Sequence, residues 1–401
     1  MNIKCKLSRL CYLLLSILLT GCASQEKNFK SDPALLVRID SNFASAGRQY
    51  HLLMKNLPPG QFPKTYYPLT GKFEACKSDW WVSGFYPGSL LYIYEQTKDR
   101  TLLDETRRIL KLLEKEKNNR TTHDLGFMMY CSFGQANAIS PQPGYKEVLI
   151  ESAKSLASRF NPKVGCIQSW DAKPDEFLVI IDNMMNLELL FWAARETGDS
   201  SYYNIAVTHA NTTMKNHFRS DYSSYHVLNY HPETGAVQQK RTDQGYADES
   251  AWARGQAWGL YGYTLMYRET KDHKYLDQAN HIAAFILKNL PDDKVPYWDF
   301  NAPDIPAALR DASAGAIIAS ALLELCSYNK GQNAQIFFKT AEKIINTLSS
   351  DRYTAAEKSN GGFILKHGVG HMPKRSEIDV PLTYGDYYYL EAMKRYKSYA
   401  D

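Results

Sequence analysis

Residues 252–290 read WARGQAWGLYGYTLMYRETKDHKYLDQANHIAAFILKNL, and the internal structure of this stretch decides the fold. Its first half is an apolar helical run that ends in Glu269-Thr270-Lys271-Asp272, and its second half, from His273, alternates apolar and polar residues at helical spacing. The same pairing recurs upstream. Trp81-Val82-Ser83-Gly84-Phe85 opens an apolar run that ends at Glu95 with Thr97-Lys98-Asp99, and another run ends in Glu196-Thr197-Gly198-Asp199. After each Asp a second helix follows, over 102–114, 202–217 and 275–290. The repeating unit is helix, tight turn, helix.

The two helices of a unit differ in kind. The first is small and apolar nearly all round, as in ASAGAIIASALLEL at 312–325, and a helix of that composition is buried on every side. The second is amphipathic, as in 273–290, and covers the outside. With the stretches 34–57 and 381–396 the units supply roughly twelve helices. Alternation of buried and half-exposed helices gives two concentric rings, an all-α (α/α)6 toroid of six helical hairpins. No Pro/Gly/Ser-rich linker divides the chain, so residues 34–401 read as a single catalytic domain. Strands are expected only as short pieces at 224–229 and 362–366. In such a toroid the pocket forms where inner helices begin, here expected near Trp81, Asp124, Asp182, Ser250, Asp311 and Pro381.

The first 21 residues read as a lipoprotein signal peptide. Lys4, Lys6 and Arg9 precede an apolar run, 10–19, too short to span a bilayer. The run ends in Leu19-Thr20-Gly21-Cys22, which resembles a bacterial lipobox, so Cys22 is the expected site of lipidation. Residues 22–33 are the expected flexible tether. The mature chain then touches a membrane only through its anchor, and it faces the periplasm or the cell surface. Loss of the leader leaves 44 basic against 43 acidic residues, a balance of +1, which removes any net electrostatic case for nucleic acid. Of seven cysteines, Cys76, Cys131, Cys166 and Cys326 lie beyond Cys22, scattered and without a CxxC pair. They form neither a disulfide framework nor a zinc site and read as small buried apolar residues.

Phosphate-loop, dinucleotide, zincin and serine-hydrolase signatures are absent. Paired carboxylates remain. Asp124, in His123-Asp124-Leu125-Gly126-Phe127, opens an inner helix, where an Asp also serves as a cap. Asp182 follows the apolar residues 178–181 and precedes another buried helix. It too can cap, but a carboxyl in such surroundings is desolvated, which raises its pKa and suits proton transfer near neutral pH. On the helix after Trp252, Arg254, Trp258 and Tyr261 share a face. A guanidinium beside an indole suits an anionic sugar, the ring packing on its apolar face and Arg254 binding its carboxylate bidentately. Trp81 and Trp170 precede inner helices and can wall the pocket.

The blocks WWVSGFYPGSL (80–90), HDLGFMMYCSFG (123–134), IIDNMMNLELL (180–190), SAWARGQAWGLYGY (250–263), PYWDFNAP (296–303) and YGDYYYLEA (384–392) together resemble the unsaturated glucuronyl hydrolases of glycoside hydrolase family 88. The resemblance implies an (α/α)6 barrel, in agreement with the repeat. It implies that Asp182 and Asp124 are the catalytic pair and that His226, Gln244, Arg254, Trp258, Trp81, Trp170 and Tyr384 contact substrate. It implies hydration of the C4=C5 enol ether of a Δ4,5-unsaturated uronic acid at the non-reducing end of a lyase-generated oligosaccharide, with neither metal nor organic cofactor. Two alternatives are an unsaturated rhamnogalacturonyl hydrolase, which shares fold and reaction, and a non-catalytic glycan-binding lipoprotein. A toroidal lyase fits less well, because such enzymes carry large β-domains that this chain cannot hold.

Overall fold

The computed structural model describes residues 29–400. The leader, Cys22 and the tether as far as residue 28 lie outside the described residues. From Phe29 the chain is packed, its ring stacked on Phe338 at 4.8 Å and set edge-on to Tyr399 at 5.3 Å. Asp32 accepts the Ala34 N–H and caps the first helix.

Twelve α-helices alternate between two rings among the described residues. The outer ring is α1 (Pro33–Asn56), α3 (Arg100–Leu113), α5 (Tyr145–Ala157), α7 (Ser200–Asn216), α9 (His273–Asn289) and α11 (Gly331–Leu348). The inner ring is α2 (Phe85–Thr97), α4 (Gln135–Ile139, continuing a π-helical segment Gly126–Gly134), α6 (Leu187–Thr197), α8 (Ala253–Thr270), α10 (Ala312–Cys326) and α12 (Thr383–Lys397). The architecture is an (α/α)6 toroid. Nearly every residue of α10 is buried, and it packs on α8, α11 and α12. Inner helices run from a mouth, where their N-termini gather, to a base, and outer helices run back.

The repeated Thr-x-Asp of the hairpins has a local cause. Thr97, Thr197 and Thr270 each turn a hydroxyl back to the carbonyl four residues earlier, at 2.7–2.8 Å. The next residue, Lys98, Gly198 or Lys271, is left-handed and ends the inner helix. Asp99, Asp199 and Asp272 then accept an N–H two residues on and cap the outer helix. In each hairpin two hydrogen-bonding side chains, a Thr and an Asp, thus reverse the chain within four residues at the base.

The mouth connections are longer and carry the strands. They are the hairpin β1 (Phe62–Tyr67) with β2 (Lys72–Cys76), the short pair β3 (Phe160–Asn161) with β4 (Cys166–Ile167), the antiparallel sheet of β5 (Phe177–Ile180), β6 (Val227–Tyr230) and β7 (Val237–Arg241), and the hairpin β8 (Gly368–His371) with β9 (Ser376–Val380). The strand expected at 224–229 exists as β6. The one expected at 362–366 does not. Gly361 and Gly362 adopt φ of 64° and 97° and turn the chain there, Leu365 forms only an isolated bridge with Thr354, and a strand begins at Gly368.

One contact brings the second and third inner helices together. A Cβ on Gly126 would lie 2.4 Å from the Asn186 Cα, so only glycine allows this approach. Asn186 answers by accepting the Phe127 N–H through Oδ1 at 2.9 Å. The stitch lies two residues past Asp124 and four past Asp182. Gly126→Ala should force the segments apart, costing about 1–3 kcal/mol by overpacking. A lowered Tm with a parallel fall in kcat is the expected result of thermal and steady-state measurements on this variant.

Candidate active site

Strand register sets the centre of the site. Ile180, the last residue of β5, pairs with Val227, the first of β6. The Ile181 N–H then donates to the His226 carbonyl at 3.0 Å. Asp182 and His226 therefore emerge side by side, with His226 Nε2 3.7 Å from Asp182 Oδ2. His226 Nδ1 accepts the backbone N–H groups of Asp243 and Gln244, each at 3.2 Å. A nitrogen that accepts two N–H groups carries no proton, so the neutral ring holds its hydrogen on Nε2, facing Asp182. Burial lowers the His226 pKa to about 3 and keeps the ring neutral.

Asp182 is the second residue of a 3₁₀ segment, Ile181–Asn186, whose N-cap position is Ile180, so its carboxyl does not occupy the cap. Its carboxyl is buried and its Oδ2 has no protein hydrogen-bond partner. Burial raises its pKa to about 7; Arg254 pulls against the rise, and the Asp124 charge adds to it. Asp124 does not cap a helix either. Its Oδ2 accepts from the Thr122 hydroxyl at 2.9 Å, and its Oδ1 lies 3.3 Å from His123 Nε2. His123 is itself fixed by donation from Nδ1 to the Ser169 carbonyl at 3.0 Å.

Arg254, in the first turn of α8, is almost fully buried. Nη1 donates to Asp311 Oδ2 at 2.8 Å and to the Val369 carbonyl at 2.6 Å, and Nη2 donates to the Gly370 carbonyl at 2.7 Å. Its guanidinium stands over the rings of Trp252 at 4.6 Å and Tyr384 at 5.2 Å. Of its five N–H donors the Nε–H and one on Nη2 remain, and these two form a fork. Gln244 converges on the same strand, donating to the Gly370 carbonyl at 2.9 Å.

The aromatic roles divide differently from the expectation. Trp258 is completely buried between Phe127 and Tyr388, at ring distances of 5.0 and 5.2 Å, and cannot pack on a sugar. The indole beside Arg254 is Trp252, whose ring also touches His226 at 4.5 Å. What Trp258 offers is its N–H, near enough to Asp182 to favour the ionised carboxyl. Tyr261, one turn lower, points away from the mouth and donates to Glu391 at 3.1 Å. Trp81 and Trp170 keep partly exposed rings, Trp81 against Tyr384 at 4.8 Å and Trp170 edge-on to His226 at 6.2 Å.

With this geometry the comparisons with known proteins become informative. The sequence profile of Glycosyl Hydrolase Family 88 matches residues 61–401. The chain belongs to family 88. It is 46% identical to the unsaturated glucuronyl hydrolase of Formosa agariphila, over 96% of this chain and 98% of that one. The unsaturated chondroitin disaccharide hydrolase of Streptococcus pneumoniae is 35% identical, over 82% and 83%. A crystal structure of an unsaturated glucuronyl hydrolase specific for heparin superposes with a TM-score of 0.87 at 48% identity, covering 90% of this chain and 97% of that one.

Asp311, which fixes Arg254, is a site residue of this family 88 hydrolase that sequence reading took only for a helix start. Its Oδ1 caps α10 through the Ser313 N–H at 3.0 Å, so its cap signal hid a second role played by Oδ2. Asp243 pairs with His371 at 3.0 Å and Lys374 at 3.4 Å, which holds its carboxyl well below the ordinary range. Nothing in the sequence links residues 128 apart. Among the described residues no group of three or more His, Cys, Asp or Glu side chains is placed to hold a metal.

The raised pKa of Asp182 makes a stability prediction. The folded state holds the proton more tightly than the unfolded chain, whose carboxyl titrates near ~4. The favourable contribution is complete below pH ~4 and is lost as pH rises toward about 7. The Tm of Asp182→Asn relative to wild type should therefore become more positive from pH 4 to pH 8. A difference independent of pH would mean that the carboxyl is not held neutral.

Proposed function

We propose that this chain removes a Δ4,5-unsaturated uronic acid from the non-reducing end of lyase-generated glycosaminoglycan fragments by hydrating the C4=C5 enol ether. The observation that carries the reading is the buried Asp182 carboxyl, held near neutral pKa beside a second carboxyl at the mouth of a family 88 toroid. The substrate class is supported by relatives named for heparin and for chondroitin disaccharides. The heparin-specific relative has the higher identity, so heparin-type disaccharides come first in an assay.

In this reading protonated Asp182 gives its proton to C4, and positive charge develops at C5. Water adds at C5 and returns a proton to the Asp182 carboxylate, which restores the acid. The resulting hemiketal opens and releases the aglycone sugar. Asp124 raises the pKa of its partner and stabilises the developing cation. The free fork of Arg254 takes the substrate carboxylate, the His226 Nε2–H and Gln244 bond the sugar, and Trp81 and Trp170 wall it. The chemistry calls for no metal or organic cofactor. The protein is further read as a lipoprotein anchored through Cys22, periplasmic or on the cell surface, a reading supported by the sequence of residues 19–22.

The enol ether absorbs in the ultraviolet, so hydration lowers absorbance, a lyase raises it and a binder leaves it unchanged. Asp182→Asn should reduce kcat by roughly 10²–10⁴ on an unsaturated disaccharide. Wild-type kcat should fall as pH rises through about 7, and Asp124→Asn should move that limb to lower pH. A variant Asp182→Asn that keeps a tenth of wild-type kcat would sink the assignment.

Arg254 needs a gentler test than truncation. Its removal would strand the buried Asp311 charge, at a cost of about 3–5 kcal/mol. Arg254→Lys keeps the charge and loses the fork. The expected loss in kcat/KM is on the order of 10–100-fold, from one charge-assisted bond of about 1.5–3 kcal/mol. An unchanged kcat/KM would place the substrate carboxylate elsewhere.

A further inference from the structure

The route by which the chain enters the toroid fixes which way an anchored molecule faces. Phe29 lies against Phe338 in the first half of α11 and against Tyr399, just beyond the end of α12. The Asp32 N–H donates to the Tyr396 hydroxyl at 2.7 Å, and the Lys30 carbonyl accepts from Lys339 at 3.4 Å. Outer helices begin and inner helices end at the base, so all four contacts hold the entering chain there. The mouth, with Asp182 and Asp124, is at the other end.

We propose that the base of the toroid is the membrane-facing surface and that the catalytic mouth opens away from the bilayer. This rests on the lipid-anchor reading of Cys22 and goes beyond it. The lengths decide between orientations. Seven residue steps separate Cys22 from Phe29 and span at most about 25 Å when fully extended. Helix α1 runs from base to mouth in 24 residues, about 36 Å. The leash is therefore shorter than the climb, and a lipid on Cys22 cannot bring the mouth to the membrane while the 29–32 contacts hold. The base presents exposed charges of both signs, Lys98, Arg100, Lys271 and Lys330 beside Glu196, Asp199 and Asp272, so the anchor rather than net charge holds this face to the lipid. The partner of this face is thus the lipid surface that carries the anchor, and oligosaccharide reaches the site from the aqueous side.

The test uses the full-length lipidated chain in vesicles that contain anionic lipid and a headgroup energy-transfer acceptor. A fluorescent amino acid replaces either exposed Ser200, at the base, or exposed Leu69, in the β1–β2 turn at the mouth side. Transfer should be several-fold stronger from position 200 than from position 69. The Cys22→Ser chain should leave the membrane fraction with kcat/KM unchanged on a soluble disaccharide. Equal or stronger transfer from position 69, with Cys22→Ser still releasing the chain, overturns the orientation and leaves the anchor reading standing. Membrane association that survives Cys22→Ser overturns the anchor reading, and the orientation falls with it.

Discussion

The contact between Gly126 and Asn186 is the constraint on which the site depends. Two inner helices start there with their backbones closer than any side chain would permit, and the Phe127 N–H locks onto the Asn186 side chain. Asp124 and Asp182 sit immediately outside that stitch. Their nearness is therefore a property of the barrel's packing rather than of any attraction between them, since two carboxyls repel when ionised. Burial raises the pKa of Asp182 to about 7 and that repulsion adds to the rise, which makes it an acid near neutral pH.

Arg254 shows how the opposing charge is rationed. A free guanidinium next to Asp182 would hold the carboxyl ionised. Here Arg254 already satisfies Asp311 and two carbonyls of β8, so part of its charge is directed away from Asp182. Burial then outweighs the remaining attraction. The same bonds orient the guanidinium, leaving one fork on a rigid support. The small sheet β5–β6–β7 does for His226 what β8 does for Arg254. The backbone after β7 fixes the imidazole tautomer and so directs an N–H at Asp182.

Base and mouth of the toroid are built on different rules. At the base, four-residue turns with Thr and Asp side chains reverse the chain at minimal length, and the charges below the site are paired. Around the cavity of about 280 Å³ there, Glu391 accepts from Tyr92, Tyr261 and Ser320. At the mouth, long connections carry the strands, and together with the first turns of the inner helices they carry the candidate site residues. Stability and chemistry are thereby separated along the barrel axis, as loops on a rigid scaffold allow.

The sequence by itself determined the rings, because burial of a whole helix demands apolar residues on every face and the outer helices need only one. It determined where inner helices begin, and so Asp124, Asp182, Arg254 and the partly exposed Trp81 and Trp170. Local composition also announced the desolvation of Asp182, through the apolar residues 178–181. Only the tertiary structure decided what meets at the mouth. The pairing of Arg254 with Asp311, of His226 with the backbone after β7 and of Asp243 with His371 joins segments far apart in the chain, and no local pattern encodes such encounters. Helical spacing placed Trp258 on the face of Arg254, but the packing of Phe127 and Tyr388 around it decided that this indole is buried and that Trp252 flanks the guanidinium. Periodicity reports which way a side chain points; what it touches depends on the helices that close around it.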